Sequence, residues 1–212
     1  MTPPLTNLTD STDVRQLLLD DGRTVRAEFA AALDQELGVL ADGPADCFRC
    51  ALLIKLAVAA LRTQRTTLLA ELVFGTLDDM VVSTQLVFTG KAAAAGNVAR
   101  QAIEGLAMEL LCSVDSDLVV ERRPKQGDRA GRYWELVLAN DRLVETQRAV
   151  RQVEWNAARL GLTPDDIAYL ASVRKHWSAV RHAGVATIAD RSALNGAGAL
   201  VLGSSFDLAK LG

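Results

Sequence analysis

Aromatic residues and histidine are scarce in this chain: Phe, Trp and Tyr together make up 5% of 212 residues, and there are two histidines. Alternating β-branched runs are equally sparse, which points away from a sandwich or barrel and towards a core of packed helices. No apolar run suits a membrane span. The most apolar stretch, residues 51–61, is shorter than the roughly 20 residues a spanning helix needs, and it contains Lys55. The opening residues 1–7 have neither the basic nor the apolar region of a secretion signal, so a cytoplasmic location is expected.

Cysteine is also rare and odd in number. Cys47 and Cys50 have the Cys-x-x-Cys spacing, yet no second pair completes a zinc site, and His176 and His182 are not four residues apart. Small buried thiols are the expectation, with no metal and no cofactor. Gly196 and Gly198 do not form a nucleotide loop, because no strand precedes them. A net charge of −3 argues against a general polyanion binder, although the imbalance is uneven. Residues 1–120 carry 9 Lys+Arg against 16 Asp+Glu, whereas residues 121–212 carry 14 against 10. That basic second half suits either RNA or the acidic half of a neighbouring subunit.

What is present reads as an all-α, up-and-down bundle of about five to seven helices. Residues 1–11 form an arm, 12–191 a single domain, and 192–212 an extension with a short apolar run that suits a docked helix. Helical spacing starts near Thr12, breaks at Gly22 and resumes with Thr24 as a cap. A turn is expected over 41–46, around Pro44. From Asp46 an almost wholly apolar helix is expected to run to Phe74, and apolarity on most of its circumference predicts the central position in the bundle. Residues 76–89 carry a mixed signal and are read as helix. Another helix follows Gly90, from Lys91 to Cys112. The charged stretch 115–131 reads as a loop whose Arg122, Arg123, Lys125 and Arg129, with Arg132, make the densest cationic patch. One long helix is expected over 133–160, closed by Gly161; Thr163 as N-cap and Pro164 at the first helical position then open the next.

That last helix leads into 169–184, the stretch that concentrates both histidines, a tryptophan and several basic side chains. Arg174, Ser178 and His182 share one helical face, with Arg181 beside it. A neutral histidine near arginines is equipment for phosphodiester cleavage or acyl transfer, and it is equally what a hydrogen-bonded histidine at a helix C-terminus looks like. Within 91–112, Asn97, Arg100 and Glu104 share another face. Arg100 and Glu104 are an i,i+4 pair, worth a few tenths of a kcal/mol on a surface, and a fixed polar element if that face is buried.

The order of an apolar helix, Arg100-x-x-x-Glu104, a long amphipathic helix and Ser178-x-x-x-His182 resembles bacterial all-helical families with a HEPN-like bundle. The resemblance covers roughly residues 45–190. It implies a homodimer and, for several members, metal-independent RNase or toxin-type activity on RNA, with an Arg and a His four to six residues apart. Here seven residues separate Arg174 from His182, and Arg181 is adjacent to it, so neither matches that spacing. The leading expectation is accordingly a non-enzymatic module that binds a protein partner or a small ligand. The RNA-cleaving dimer, with His182 as acid/base and Arg174 or Arg181 stabilising charge, is the alternative.

Overall fold

Local capping sets the first helices of this computed structural model, which describes residues 9–178 and Phe206. The Asp10 carboxylate accepts the backbone N–H groups of Thr12 and Asp13 and starts α1, Ser11–Leu19. Gly22, in the left-handed region at φ 62°, starts α2, Arg23–Ala32. The break expected at Gly22 is therefore present, but Gly22 itself is the cap and Thr24 lies inside the helix. α3 spans Asp34–Leu61. It passes straight through Pro44, where a turn was expected. The proline removes one N–H from the helical ladder, and the carbonyl it would have served belongs to Leu40, which lies on an exposed stretch where water can substitute.

The single helix expected from Asp46 to Phe74 is in fact two. Arg62 adopts the left-handed conformation at φ 46°, and Thr63 then starts α4, Gln64–Val87, with a reciprocal capping box to Thr66. α4 continues through Gly75, so the stretch 76–89 is helical almost throughout, as read from the sequence. Gly90, at φ 71°, turns the chain into α5, Ala92–Ser113.

α5 is the central helix. It packs along α4 and against α7 and α8, and it buries Ala95, Gly96, Ala102, Glu104, Ala107, Met108, Leu111 and Cys112. Small residues let α4 and α5 approach closely: a Cβ on Gly105 would lie 2.4 Å from the Thr76 hydroxyl oxygen. Two hydrogen bonds join the pair on either side of that contact. Ser83 donates to the Ala95 carbonyl at 2.9 Å, and Arg65 donates to the Ser113 carbonyl at 2.8 Å.

The stretch 115–131, read as a loop, contains an antiparallel ribbon of β1, Asp117–Glu121, and β2, Arg129–Arg132. Side chains of the following helices hold it in place, which no local signal announces. The Asn156 amide accepts from the Val119 N–H and donates to the Val119 carbonyl, both at 2.9 Å, and so acts as a neighbouring strand. Gln152 donates to the carbonyls of Val120 and Leu143 and accepts the buried Tyr133 hydroxyl at 2.7 Å. The long helix expected over 133–160 divides into α6, Tyr133–Leu138, a 3-10 turn at Arg142–Val144, and α7, Thr146–Leu160; Asn140 at φ 53° makes the break. Gly161 at φ 70° closes α7 as expected. α8, Pro164–Ser178, opens with the predicted Thr163, whose hydroxyl and backbone N–H both bond the Asp166 carboxylate.

The architecture is thus an all-α bundle with one small ribbon, and its core lies among α5, α6, α7, α8 and β1. α3 stands at the edge, packed mainly against α4, which overturns its expected central position. Cys47 and Cys50, on α3, are exposed rather than buried, whereas Cys112 in α5 is buried. Phe29 of α2 is enclosed by edge-on contacts with Phe88 and Phe206, at 6.3 and 4.7 Å between ring centroids. Among the described residues no helix is long and apolar enough to cross a membrane.

Candidate functional site

Beside the close contact of α4 and α5, and reaching Thr146 at the start of α7, lies a cleft of about 420 Å³. Residues at i, i+4 spacing on α4 supply one wall: Glu71 and Leu72, then Gly75 and Thr76, then Asp79. α5 supplies the other with Arg100, Gln101, Glu104, Gly105 and Met108. Gly75 keeps its part of the wall low, since a Cβ there would meet nothing within 4 Å.

The Arg100–Glu104 pair is the polar centre of this cleft. Arg100 Nη1 lies 2.6 Å from Glu104 Oε1, and the two side chains are only 18% and 8% exposed. This is the buried form of the pair, in which each charge needs the other. Several polar atoms nearby are left without partners: Arg100 Nε, Thr76 Oγ1 and Glu109 Oε1 are all buried and make no hydrogen bond. The Thr76 hydroxyl is close enough to the Glu109 carboxyl to oppose part of its shift, yet the contact lacks hydrogen-bond geometry. Burial is the stronger influence and pushes the Glu109 carboxyl above the ordinary glutamate range. It raises Asp79 in the same direction, with the neighbouring Asp78 charge adding to the effect. Burial, assisted by the charge of Glu109, pushes the Cys112 thiol up to about 12, so this thiol is packing rather than a nucleophile.

Counted by formal charge, the cleft has three carboxylates, Glu71, Asp79 and Glu104, against the single guanidinium of Arg100. Its formal charge is therefore −2, with the buried Thr76 hydroxyl at the floor beside Gly105. Among the described residues no group of three His, Cys, Asp or Glu side chains is spaced to hold a metal ion.

Of the binding residues expected from the sequence, Arg100 and Glu104 meet in this cleft, whereas Asn97 is exposed and does not line it. The other predicted set is not assembled in the described residues. Arg174, on α8, donates to the Gln147 carbonyl at 3.2 Å and so ties α8 to the start of α7. Ser178 is the last residue of α8, and its side chain lies outside the described residues, as do Arg181 and His182. His176 meets the edge of Trp177 at 4.9 Å. The cationic patch of the β-ribbon is largely neutralised within the fold. Arg123 pairs with Glu121, Arg129 with Asp141, and Arg132 with Asp115 and Glu135, while Arg122 and Arg151 lie over the Trp155 ring.

The sequence reading missed Glu71, Thr76 and Asp79. Glu71 and Asp79 lie eight residues apart on one face of an apolar helix, with Thr76 three residues before Asp79; that was a usable signal, obscured because the helix was expected to end before Gly75. Comparison with known proteins finds no family model, curated protein or solved structure that matches this chain.

Proposed function

We propose that this chain is a non-enzymatic helical binding module that takes a small cationic ligand, of the amine or polyamine class, between α4 and α5. The observation that carries this reading is the Thr76 hydroxyl, buried and unpartnered in a cleft with two carboxylates in excess of its guanidinium. A buried hydroxyl without a partner is disfavoured by about 1–3 kcal/mol, which a ligand donor or acceptor would recover. Glu71 and Asp79 are eight residues apart on α4, about 12 Å along the axis at 1.5 Å per residue. An extended polyamine reaches that far.

Thermal denaturation with spermidine, putrescine, magnesium ion and inorganic phosphate tests the proposal. A ligand that binds only the folded chain raises Tm with its concentration. Spermidine is expected to do so more than magnesium, and Asp79→Asn and Thr76→Val are each expected to weaken the effect. A flat response to both amines, or an equal response in wild type and both variants, sinks the reading.

RNA cleavage by a dimer, implied by the HEPN-like resemblance, is a proposal of a different class. It requires His182 and an arginine to converge on one phosphodiester, and the one of its arginines with described contacts, Arg174, is engaged with a backbone carbonyl. Loss of intact total RNA with wild type, abolished in His182→Ala, would replace the binding reading with this one.

A further inference from the structure

Among the described residues, thirteen large apolar side chains are exposed, and seven of them belong to α3: Val39, Leu40, Phe48, Leu52, Leu53, Leu56 and Leu61. The C-terminal half of the helix is the densest part. Leu52, Leu53, Leu56 and Leu61 are 58–66% exposed, and Ala57, Ala59 and Ala60 between them are exposed as well. Leu53, Leu56 and Ala60 recur at three- and four-residue spacing and form one seam, flanked by Leu52 and Ala59 on one side and Ala57 and Leu61 on the other. Small residues on such a seam let a second helix approach closely. The one charge in this half, Lys55, lies off the seam, beside the face that packs on α4.

We infer that α3 pairs, antiparallel and centred near Leu56, with α3 of a second copy of this chain. Two observations choose that occupant and a third sets the direction. The first is area. The four leucines of residues 52–61 and the alanines among them leave on the order of 400 Å² of apolar surface open, within the range of the largest apolar patch on a monomer, which is itself often an interaction site. Paired with its copy, that seam would bury about 800 Å² in all, at the small end of interface sizes. The second is charge. The seam offers a foreign partner no charged handle, whereas an uncharged apolar seam is complementary to itself, as a two-fold interface requires. A membrane surface is a poor match for the same reason, since interfacial helices carry Lys and Arg beside their apolar face.

The third observation sets the direction. In the N-terminal half the same face carries Asp42, Asp46 and Arg49, with Arg49 paired to Asp46 within the helix. A parallel pair would bring the aspartates of both copies together. An antiparallel pair centred at Leu56 places Leu52 opposite Ala60 of the second copy and moves each Asp46 beyond the end of the facing helix. Leu52 and Leu53 therefore meet Ala60 and Ala59 of the second copy, the two Leu56 side chains meet at the centre, and like charges are kept apart.

This inference is independent of the α4/α5 cleft and is tested on the full-length chain. Sedimentation velocity over a concentration series is expected to show a dimer for wild type and a monomer for the double variant Leu53→Glu/Leu56→Glu. That variant is expected to keep its helical circular dichroism and its Tm at concentrations where wild type is also monomeric, because both side chains are exposed in the single chain. In a Cys47→Ser/Cys50→Ser background, Leu56→Cys is expected to form a disulfide-linked dimer on mild oxidation and Arg49→Cys is not. A wild type that stays monomeric overturns the inference, as does a dimer that survives the double variant. A double variant that unfolds would show that residues of its own chain, such as 179–205, cover the seam, which also overturns it. Flotation of wild type with phosphatidylcholine/phosphatidylglycerol vesicles, lost in the double variant, would assign the face to a membrane instead. Cross-linking through Arg49→Cys would refute the antiparallel direction.

Discussion

The contact between Thr76 and Gly105 sets how closely α4 and α5 approach, and it can be measured by a double-mutant cycle. Gly105→Ala introduces a Cβ 2.4 Å from Thr76 Oγ1 and 3.6 Å from Thr76 Cβ. The second distance is ordinary contact, so the clash is with the hydroxyl alone. That hydroxyl branches from the stiff Cβ of a buried residue on a helix, so relief requires a rotamer change or a shift of α4. Overpacking of this kind destabilises by about 1–3 kcal/mol, whereas replacing glycine by alanine inside a helix returns about 0.5–1 kcal/mol. The single variant is therefore expected to lose up to about 2 kcal/mol. Thr76→Ala removes an unpartnered buried hydroxyl, relieving about 1–3 kcal/mol, and gives up one methyl group, about 0.8 kcal/mol; it is expected to be neutral or stabilising. In that background Gly105→Ala meets no clash and keeps only its helix-forming gain. The coupling between the two sites should come to about 1–3 kcal/mol, read from urea midpoints at unchanged slope. Additive effects of the two substitutions would refute the close approach and with it the floor of the cleft.

Two further expectations follow from the buried polar groups. Glu109 has its pKa raised by burial, so the folded chain holds this proton more tightly than the unfolded chain does. The resulting stability is present below the ordinary glutamate value of 4.5 and is lost as pH rises through the shifted one. Glu109→Gln should therefore be more stable than wild type at neutral pH, with the advantage shrinking on acidification; an advantage constant across the range would rule out the shift. Asn156→Ala should remove both hydrogen bonds that hold Val119, cost about 1–3 kcal/mol and speed exchange of the Val119 amide. Unchanged exchange at Val119 would show that β1 is held by its pairing with β2 alone.

Features that depend on a few neighbouring residues were legible without the fold. Helical periodicity fixed the class, and Thr163, Pro164 and Gly161 marked a helix boundary that the structure reproduces, because caps and left-handed glycines act within one turn. Arg100 and Glu104 were legible as a pair for the same reason: four residues on a helix always bring two side chains together. Whether that pair lay in water or in a buried cleft was decided by α4, whose approach depends on Gly105 facing Thr76 across nearly thirty residues of chain.

Burial is what local pattern cannot assign. An apolar helix reads the same whether its partners belong to its own chain or to another molecule, so apolarity alone places α3 at the centre, whereas the more modest, alanine-rich α5 holds that place. The ribbon of β1 and β2 was invisible for a related reason. Its charged residues look like loop, and it is ordered by amides of Asn156 and Gln152 that arrive from a helix some thirty residues later. Composition and periodicity determined that this chain would be helical and where several helices would start. Which faces are covered, which charges are buried, and where a cleft opens came only from tertiary packing, because desolvation depends on neighbours that the chain brings together from a distance.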